Sequence, residues 1–536
     1  MKNEILFSIL AVLFIFLLAS GTAAAEIQIY TLDDLMAITA SEDNLGKDYI
    51  LMNDINVGAE ETDALKFSPI GDAFIPFKGA FNGNGYIISN ITFSDPNMDY
   101  VGLFGCSEGA EFSNIILENI NVTGNIMVGS LLGIGSNTII QFCSVNNSVV
   151  TGKTYTGGLV GVLFSSFADS NYAACTVNGI DDSYCVGGFV GYMFDSSSIS
   201  DSSATGSVTG SNNVGGFVGY LESSSSVSDS FAKGNVNGIV QVGGFVGNMS
   251  DSSSVSASYA IGDVVGDNDG TGGFVGNMSG SSSVSESYAA GNVLGIRFVG
   301  GFVGSMASSS VSNSYAAGDA EGIGDFVGGF AGGMKDTSTV TNSYATGNAI
   351  ENVDQVGGFV GIMSSSDVIR DSFYIGTPHS LDNTKGILVT SLELMQINTF
   401  TILDNADNYV SADWSISSSP DPQFIWYIDE NNDFPKFYWS YSAPVPSQNG
   451  SGGSGTGSAM IVDNTPQNNT PQNNTTQNNT TQNNTTQNNT PVRDDTPVPE
   501  PTDPESKSFP WWILIIILIL IVLGAAYYLY SKRNQN

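Results

Sequence analysis

A recurring glycine phrase sets the tightest limit on what this chain can fold into. The string Gly-Gly-[Phe/Leu]-[Val/Ala]-Gly repeats with its second glycine at Gly158, Gly188, Gly216, Gly244, Gly273, Gly301, Gly329 and Gly358. The intervals are 30, 28, 28, 29, 28, 28 and 29 residues. Two looser copies, starting at Val101 and Val128, keep the step and bring the units to ten. A second phrase follows in many units, as in Val227–Val236, Val255–Val264, Val284–Val293 and Val340–Ala349. A near-constant period of this length means stacked units, each one turn of a solenoid. Glycines and serine runs in every unit argue against helices. Propeller blades run to about 40 residues, longer than these units. No proline occurs between Pro96 and Pro378, as a continuous hydrogen-bonded ladder requires. The expected fold is therefore all-β, a parallel β-solenoid (β-helix) of about ten coils of about 28 residues.

Residue parity says what fills it. Phe217 and Leu221 lie on one side of a strand, as do Phe245/Met249, Phe274/Met278, Phe302/Met306 and Phe359/Met363. Stacked coil on coil, they predict apolar ladders in the core. Tyr259, Tyr288, Tyr315 and Tyr344 are expected to form another. The paired glycines suit a tight corner or close backbone approach. The serine runs fall once per coil and read as a turn or an exposed hydroxyl stripe.

These phrases resemble the GLUG repeat of secreted and surface-anchored prokaryotic proteins. The resemblance spans about residues 101–374. Upstream, Tyr49–Asn56, Pro69–Gly71 and Phe77–Tyr86 are similar to the segment that precedes such repeats. Downstream, Gly386–Met395, Trp414 and Asp433–Trp439 are similar to the closing segment. The resemblance implies a cell-surface location, often adhesion, and no catalytic residues. Both flanks read as caps over solenoid ends that would otherwise expose strand edges. Thr31-Leu-Asp-Asp34 before Leu35 predicts a capped helix near residues 32–39. Phe424, Trp426, Phe434, Phe437 and Trp439 are expected to plug the last coil.

The termini suggest an anchor. Lys2, the apolar run Ile5–Ala19 and Ala23-Ala24-Ala25 have the form of a secretory signal peptide. Near the other end, Trp511–Tyr530 is an uncharged run of 20 residues followed by Lys532 and Arg533. That is long enough to span a bilayer, with the positive tail inside. Before it lies a tract with repeated Thr-Gln-Asn-Asn and almost nothing apolar to bury, expected to be disordered. The predicted order is a signal peptide over 1–25, an N-terminal cap over 26–97, the solenoid over 98–375 and a C-terminal cap over 376–441. A disordered stalk over 442–508, one transmembrane helix over 509–531 and a cytoplasmic tail over 532–536 complete it. The predicted location is the cell membrane, single-pass, with the large domain outside.

Charge narrows the partners. Fifteen basic against 52 acidic residues give a net charge of −37, which argues against nucleic acid. The expected partners are the membrane and cell-surface polysaccharide or surface proteins. One histidine, His379, excludes paired-histidine zinc sites. The alternative function is a polysaccharide lyase or hydrolase working in the solenoid groove. It would need carboxylates with a stacked basic residue. The five basic residues between Val101 and Tyr374 are Lys153, Lys233, Arg297, Lys335 and Arg370, at different repeat positions. The expectation is therefore no enzyme. A third idea, an ice- or mineral-binding face, needs flat and regular hydroxyls.

Asp267, Asp269, Asp429 and Asp433 lie in oxygen-rich turns that are candidate Ca²⁺ ligands. Neither turn has the full twelve-residue calcium-loop pattern, and plain acidic turns are the alternative reading. Of Cys106, Cys143, Cys175 and Cys185, the pair Cys175–Cys185 is the closest in sequence and the favoured disulfide, with free buried thiols as the alternative. Glycosylation sequons stand at Asn90, Asn121, Asn146, Asn248 and Asn277 in the folded part. Others, including Asn468, Asn473, Asn478, Asn483 and Asn488, stand in the stalk.

Overall fold

A computed structural model describes residues 26–60, 67–351, 355–376, 386–401 and 414–440. The expected signal peptide, stalk and span, His379 and the stalk sequons lie outside them. Among the described residues, no helix is long and apolar enough to cross a membrane.

One coil shows how the repeat becomes structure. After Gly244, the strand Val246–Met249 enters a ten-stranded parallel sheet, the glycine sheet. The chain turns, and Ser254–Ser256 joins a thirteen-stranded parallel sheet, the serine sheet. A second corner leads to Tyr259–Ala260, Val264–Gly266 and Asp269–Gly272, short strands of a third sheet. Ten coils supply the ten strands from Phe104–Glu108 to Val360–Met363. The lead-in segment adds three strands to the serine sheet, Ile27–Ile29, Tyr49–Leu51 and Ala80–Asn82. Thirteen strands at about 4.8 Å per step make that sheet about 58 Å long.

The aromatic core ladder lies where parity put it. Phe189, Phe217, Phe245, Phe274, Phe302, Phe330 and Phe359 are fully buried. Neighbouring rings stack 4.8–4.9 Å apart. Met249, Met278, Met306 and Met334 run beside them.

The serines divide into two kinds. Those at the corners are buried, including Ser202, Ser230, Ser258, Ser287, Ser314 and Ser343. Each passes a hydrogen bond down the rod: the Ser230 amide donates to Ser258 Oγ at 3.2 Å, and the Ser258 amide to Ser287 Oγ at 3.3 Å. Each hydroxyl donates within its own coil, as Ser258 Oγ does to Ser256 O at 2.7 Å. Buried corner amides thus find the partners they need. Ser258→Ala should orphan the Ser230 amide and cost about 1–3 kcal/mol. Urea denaturation checks this, and an unchanged midpoint would refute the ladder's role.

The residue before this ladder is left-handed in many coils: φ is 49° at Asp229, 46° at Ala257, 50° at Glu286 and 46° at Asn313. Asn and Asp tolerate that conformation best, which explains their frequency there.

The tyrosine row differs from expectation. Tyr259, Tyr288, Tyr315 and Tyr344 do stack, with centroids 4.8–4.9 Å apart. They stand outside the solenoid, however, because the next residue in each coil turns inward. Ala260, Ala289, Ala316 and Ala345 are buried there, packed close to the paired glycines: a Cβ built on Gly244 would lie 3.2 Å from the Ala260 Cβ. Between two glycine coils a tyrosine would not fit.

The C-terminal segment covers the displaced row. Trp414 and Trp426 pack on Tyr344, Phe437 on Tyr315, and Trp439 on Tyr288 and Tyr259. The expected end plug is instead a strap lying back along four coils, and it buries a second apolar cluster separate from the main core. Phe424 and Trp439 remain 38% and 37% exposed. The solenoid end is closed differently. Tyr374 takes the place of the inward alanine and lies against Gly358. Ile387–Leu388 adds one more strand beside it.

At the N-terminus the expected capping box is present. Thr31 and Asp34 cap a helix over Leu32–Met36, whose Leu32 and Leu35 join the main core.

Candidate interaction faces

Three outward surfaces carry repeated chemistry. On the serine sheet the middle residue of each strand points in and its neighbours point out. Ser198/Ser200, Ser226/Ser228, Ser254/Ser256, Ser283/Ser285, Ser310/Ser312 and Thr339/Thr341 therefore form two columns of hydroxyls over six coils. The hydroxyl stripe expected from the sequence exists, but it is only part of the serine content.

On the third sheet, Asn235, Asp263, Asn292, Asp319 and Asn348 form a linked column. Each side-chain oxygen accepts the next residue's amide, at 3.0, 2.9, 3.1 and 2.7 Å. Asn and Asp alternate. Neighbouring coils are one strand spacing apart, so adjacent carboxylates would repel, and the intervening amides double their separation. Val265, Leu294 and Ile350 lie beside this column and line a shallow cleft with it.

On the glycine sheet, the outward column runs Tyr192, Tyr220, Asn248, Asn277, Ser305, Gly333 and Ile362. Its first part is aromatic and its middle is polar.

The candidate metal ligands are not gathered. Asp269 forms an ion pair with Arg297 at 3.2 Å. Asp433 pairs with Lys436, and Asp429 accepts from Asn432 at 3.0 Å. Among the described residues no group of three potential ligands occurs, at Asp267, Asp269, Asp429, Asp433 or elsewhere. The five basic residues of the solenoid do not stack either. Arg297 is held by Asp269, and Lys233 lies 4.8 Å over the Phe231 ring.

The Cys175–Cys185 pairing is not formed. All four cysteines are free and buried. The two lie at different corners: Cys175 contacts Gly158 O and Ser130 Oγ, and Cys185 contacts Asn213. Cys143 occupies a corner-serine position and donates to Gln141 O, as the serines do to their own coils. Burial pushes the Cys143 and Cys175 thiols up to about 12 and raises Cys185 as well. Folded thiols then keep their protons where unfolded ones, near 9.0, lose theirs. Above that pH the unfolded state binds fewer protons, so stability should fall as pH rises from about 9 towards 12. Urea midpoints across that range test the sign. Ellman's reagent at pH 8 should find no reactive thiol until the protein unfolds.

The sequons differ in setting. Asn121 opens a strand and is exposed. Asn90 sits in a left-handed turn, its amide donating to Asn56. Asn146 is half-buried, and its partner hydroxyl on Ser148 is buried and bonded to Asn146 O. Asn248 and Asn277 both face outward, and Asn277 Nδ2 donates to Asn248 Oδ1 at 2.9 Å.

Fold and faces together define a class: a parallel β-solenoid with long, nearly uniform outward rows. A model of the GLUG motif matches residues 182–209 and 210–237, two consecutive coils of the solenoid. Residues amounting to 35% of the chain are 33% identical to Halomucin of Haloquadratum walsbyi, and the match spans 2% of that protein. Two solved structures are matched at low similarity. One is a candidate immunoglobulin A1 protease from Bacteroides ovatus, 15% identical, covering 78% of this chain and 94% of the other at a TM-score of 0.28. The second is an IgA1 protease, 17% identical, covering 66% of this chain and 21% of the other at a TM-score of 0.26. At those scores neither carries an argument.

Proposed function

We propose that this is a non-enzymatic, membrane-anchored cell-surface protein. Its solenoid adheres to cell-surface polysaccharide or surface proteins, or packs within the envelope. The observation that carries the reading is the outward rows. Identical or similar side chains recur at one-coil spacing over as many as six coils, which suits an extended, repeating partner better than a small substrate. GLUG repeats and the local match to Halomucin support a surface location. The apolar run at residues 511–530 would supply the anchor. Glycans are proposed at the stalk sequons and at exposed Asn121. The lyase or hydrolase alternative would need a stacked basic residue, and the five of the solenoid occupy different repeat positions.

Labelling of intact cells with a membrane-impermeant reagent, together with adhesion assays on a deletion strain, tests this. Surface labelling and weakened adhesion are expected. Labelling only after lysis, or release of reducing ends from envelope polysaccharide by the purified chain, would overturn it. A second reading rests on the two hydroxyl columns of the serine sheet, whose regular spacing suits an ice or mineral lattice. Inhibition of ice recrystallisation by the purified protein would support it.

A further inference from the structure

Aromatic rings also gather on the glycine sheet and the adjoining strands of the third sheet, Ser144–Gly157 and Tyr172–Gly187. Tyr192 stacks with Tyr155 at 5.0 Å, Phe194 at 4.7 Å and Tyr220 at 5.4 Å. Phe164 adjoins Phe194, and Tyr184 adjoins Tyr155. Tyr184 is 42% exposed, and the other five are half-buried. The Tyr192 hydroxyl donates to Glu222, and Tyr220 Oη lies 3.0 Å from Ser250 Oγ. In the next coils the same column carries Asn248, Asn277 and Ser305. The rings thus end at a step onto a floor of amides and hydroxyls.

The fold does not require these rings. Later coils keep the same phenylalanine core with polar residues in this column. Solvent-facing aromatic rings clustered in this way are the kind of surface that marks an interaction site.

We propose that this aromatic step binds a neutral polysaccharide. The inference rests on the adhesion reading and names its ligand class. A pyranose offers an apolar C–H face and a rim of hydroxyls. Tyrosine rings supply rigid, amphipathic contact area for the first. The Asn248 and Asn277 amides and the Glu222 carboxylate supply directional partners for the second. Charge narrows the choice. Between Lys78 and Lys233 the chain has one basic residue, Lys153, while Asp181, Asp182, Asp195 and Glu222 fall within the same stretch. An acidic polysaccharide would be repelled by such a surface.

The test is affinity electrophoresis of the full chain through gels containing neutral glucan, mannan or galactan. Alginate serves as the acidic control and a soluble N-glycosylated protein as a competitor. The variant Tyr192→Asn/Tyr220→Asn puts at both positions the residue that the next coil, at Asn248, already carries, so folding should survive. Melting of the variant is measured alongside. Retardation by at least one neutral polysaccharide is expected, with at least a tenfold loss of affinity in the variant at unchanged melting. No retardation in any neutral gel, a preference for alginate, capture by the glycoprotein alone, or equal retardation of the variant would each overturn the proposal. If the wild-type chain still adheres to cells in those cases, the adhesion reading stands and only the ligand assignment falls.

Discussion

Phe274→Asp is expected to unfold the middle of the solenoid. Phe274 is fully buried, with Phe245 and Phe302 stacked against its two faces at 4.9 Å. Removing the ring alone should cost about 3–5 kcal/mol. The new carboxylate would also lie in an apolar row without a cationic partner, adding several kcal/mol or forcing protonation. Coils contact mainly their neighbours, so the loss falls on both coils flanking the site. Thermal melting by circular dichroism should show a large drop, or a split transition as the two halves separate. A melting curve like that of the wild type would mean that the phenylalanine row does not hold the coils together.

Gly262→Val should be comparably damaging for a different reason. A Cβ at Gly262 would lie 2.0 Å from the carbonyl oxygen of Gly234 in the adjacent coil. The same close approach recurs at Gly234, Gly291, Gly318 and Gly347, where the distance is 1.8–2.0 Å. The obstacle is backbone, which cannot swing aside, so relief requires the coils to part and their ladder to break. Gly46→Ala is the control, because a Cβ there meets nothing within 4 Å. The expected result is a lowered melting temperature and poor soluble yield for the first variant, and neither for the second. Equal behaviour of the two would refute the close-packed corner.

Much of this was legible from local rules. Along a strand, side chains alternate, so one buried phenylalanine fixes Met249 or Met278 four residues on. The helix cap at Thr31 was equally local, since a capping box lies within four residues. The corners were not legible. A left-handed residue at Ala257 or Glu286 resets the alternation, so Ser258 turns inward while Tyr259, beside it, turns outward. The aromatic step was visible only once register placed Tyr155, Tyr184, Tyr192 and Tyr220 side by side. They are up to 65 residues apart in the chain.

The sequence by itself determined the period, the parallel stacking, the ten glycine units and the phenylalanine core. Each of these follows from spacing, backbone hydrogen bonding and strand parity. Only the tertiary structure decided where the tyrosine row faces, that the C-terminal segment lies along it as a strap, and that Cys175 and Cys185 stay apart. Those outcomes depend on how much room each corner leaves. Between two glycine coils the corner has space for an alanine methyl and no more, so there the tyrosines lie outside, where Trp426, Phe437 and Trp439 cover them.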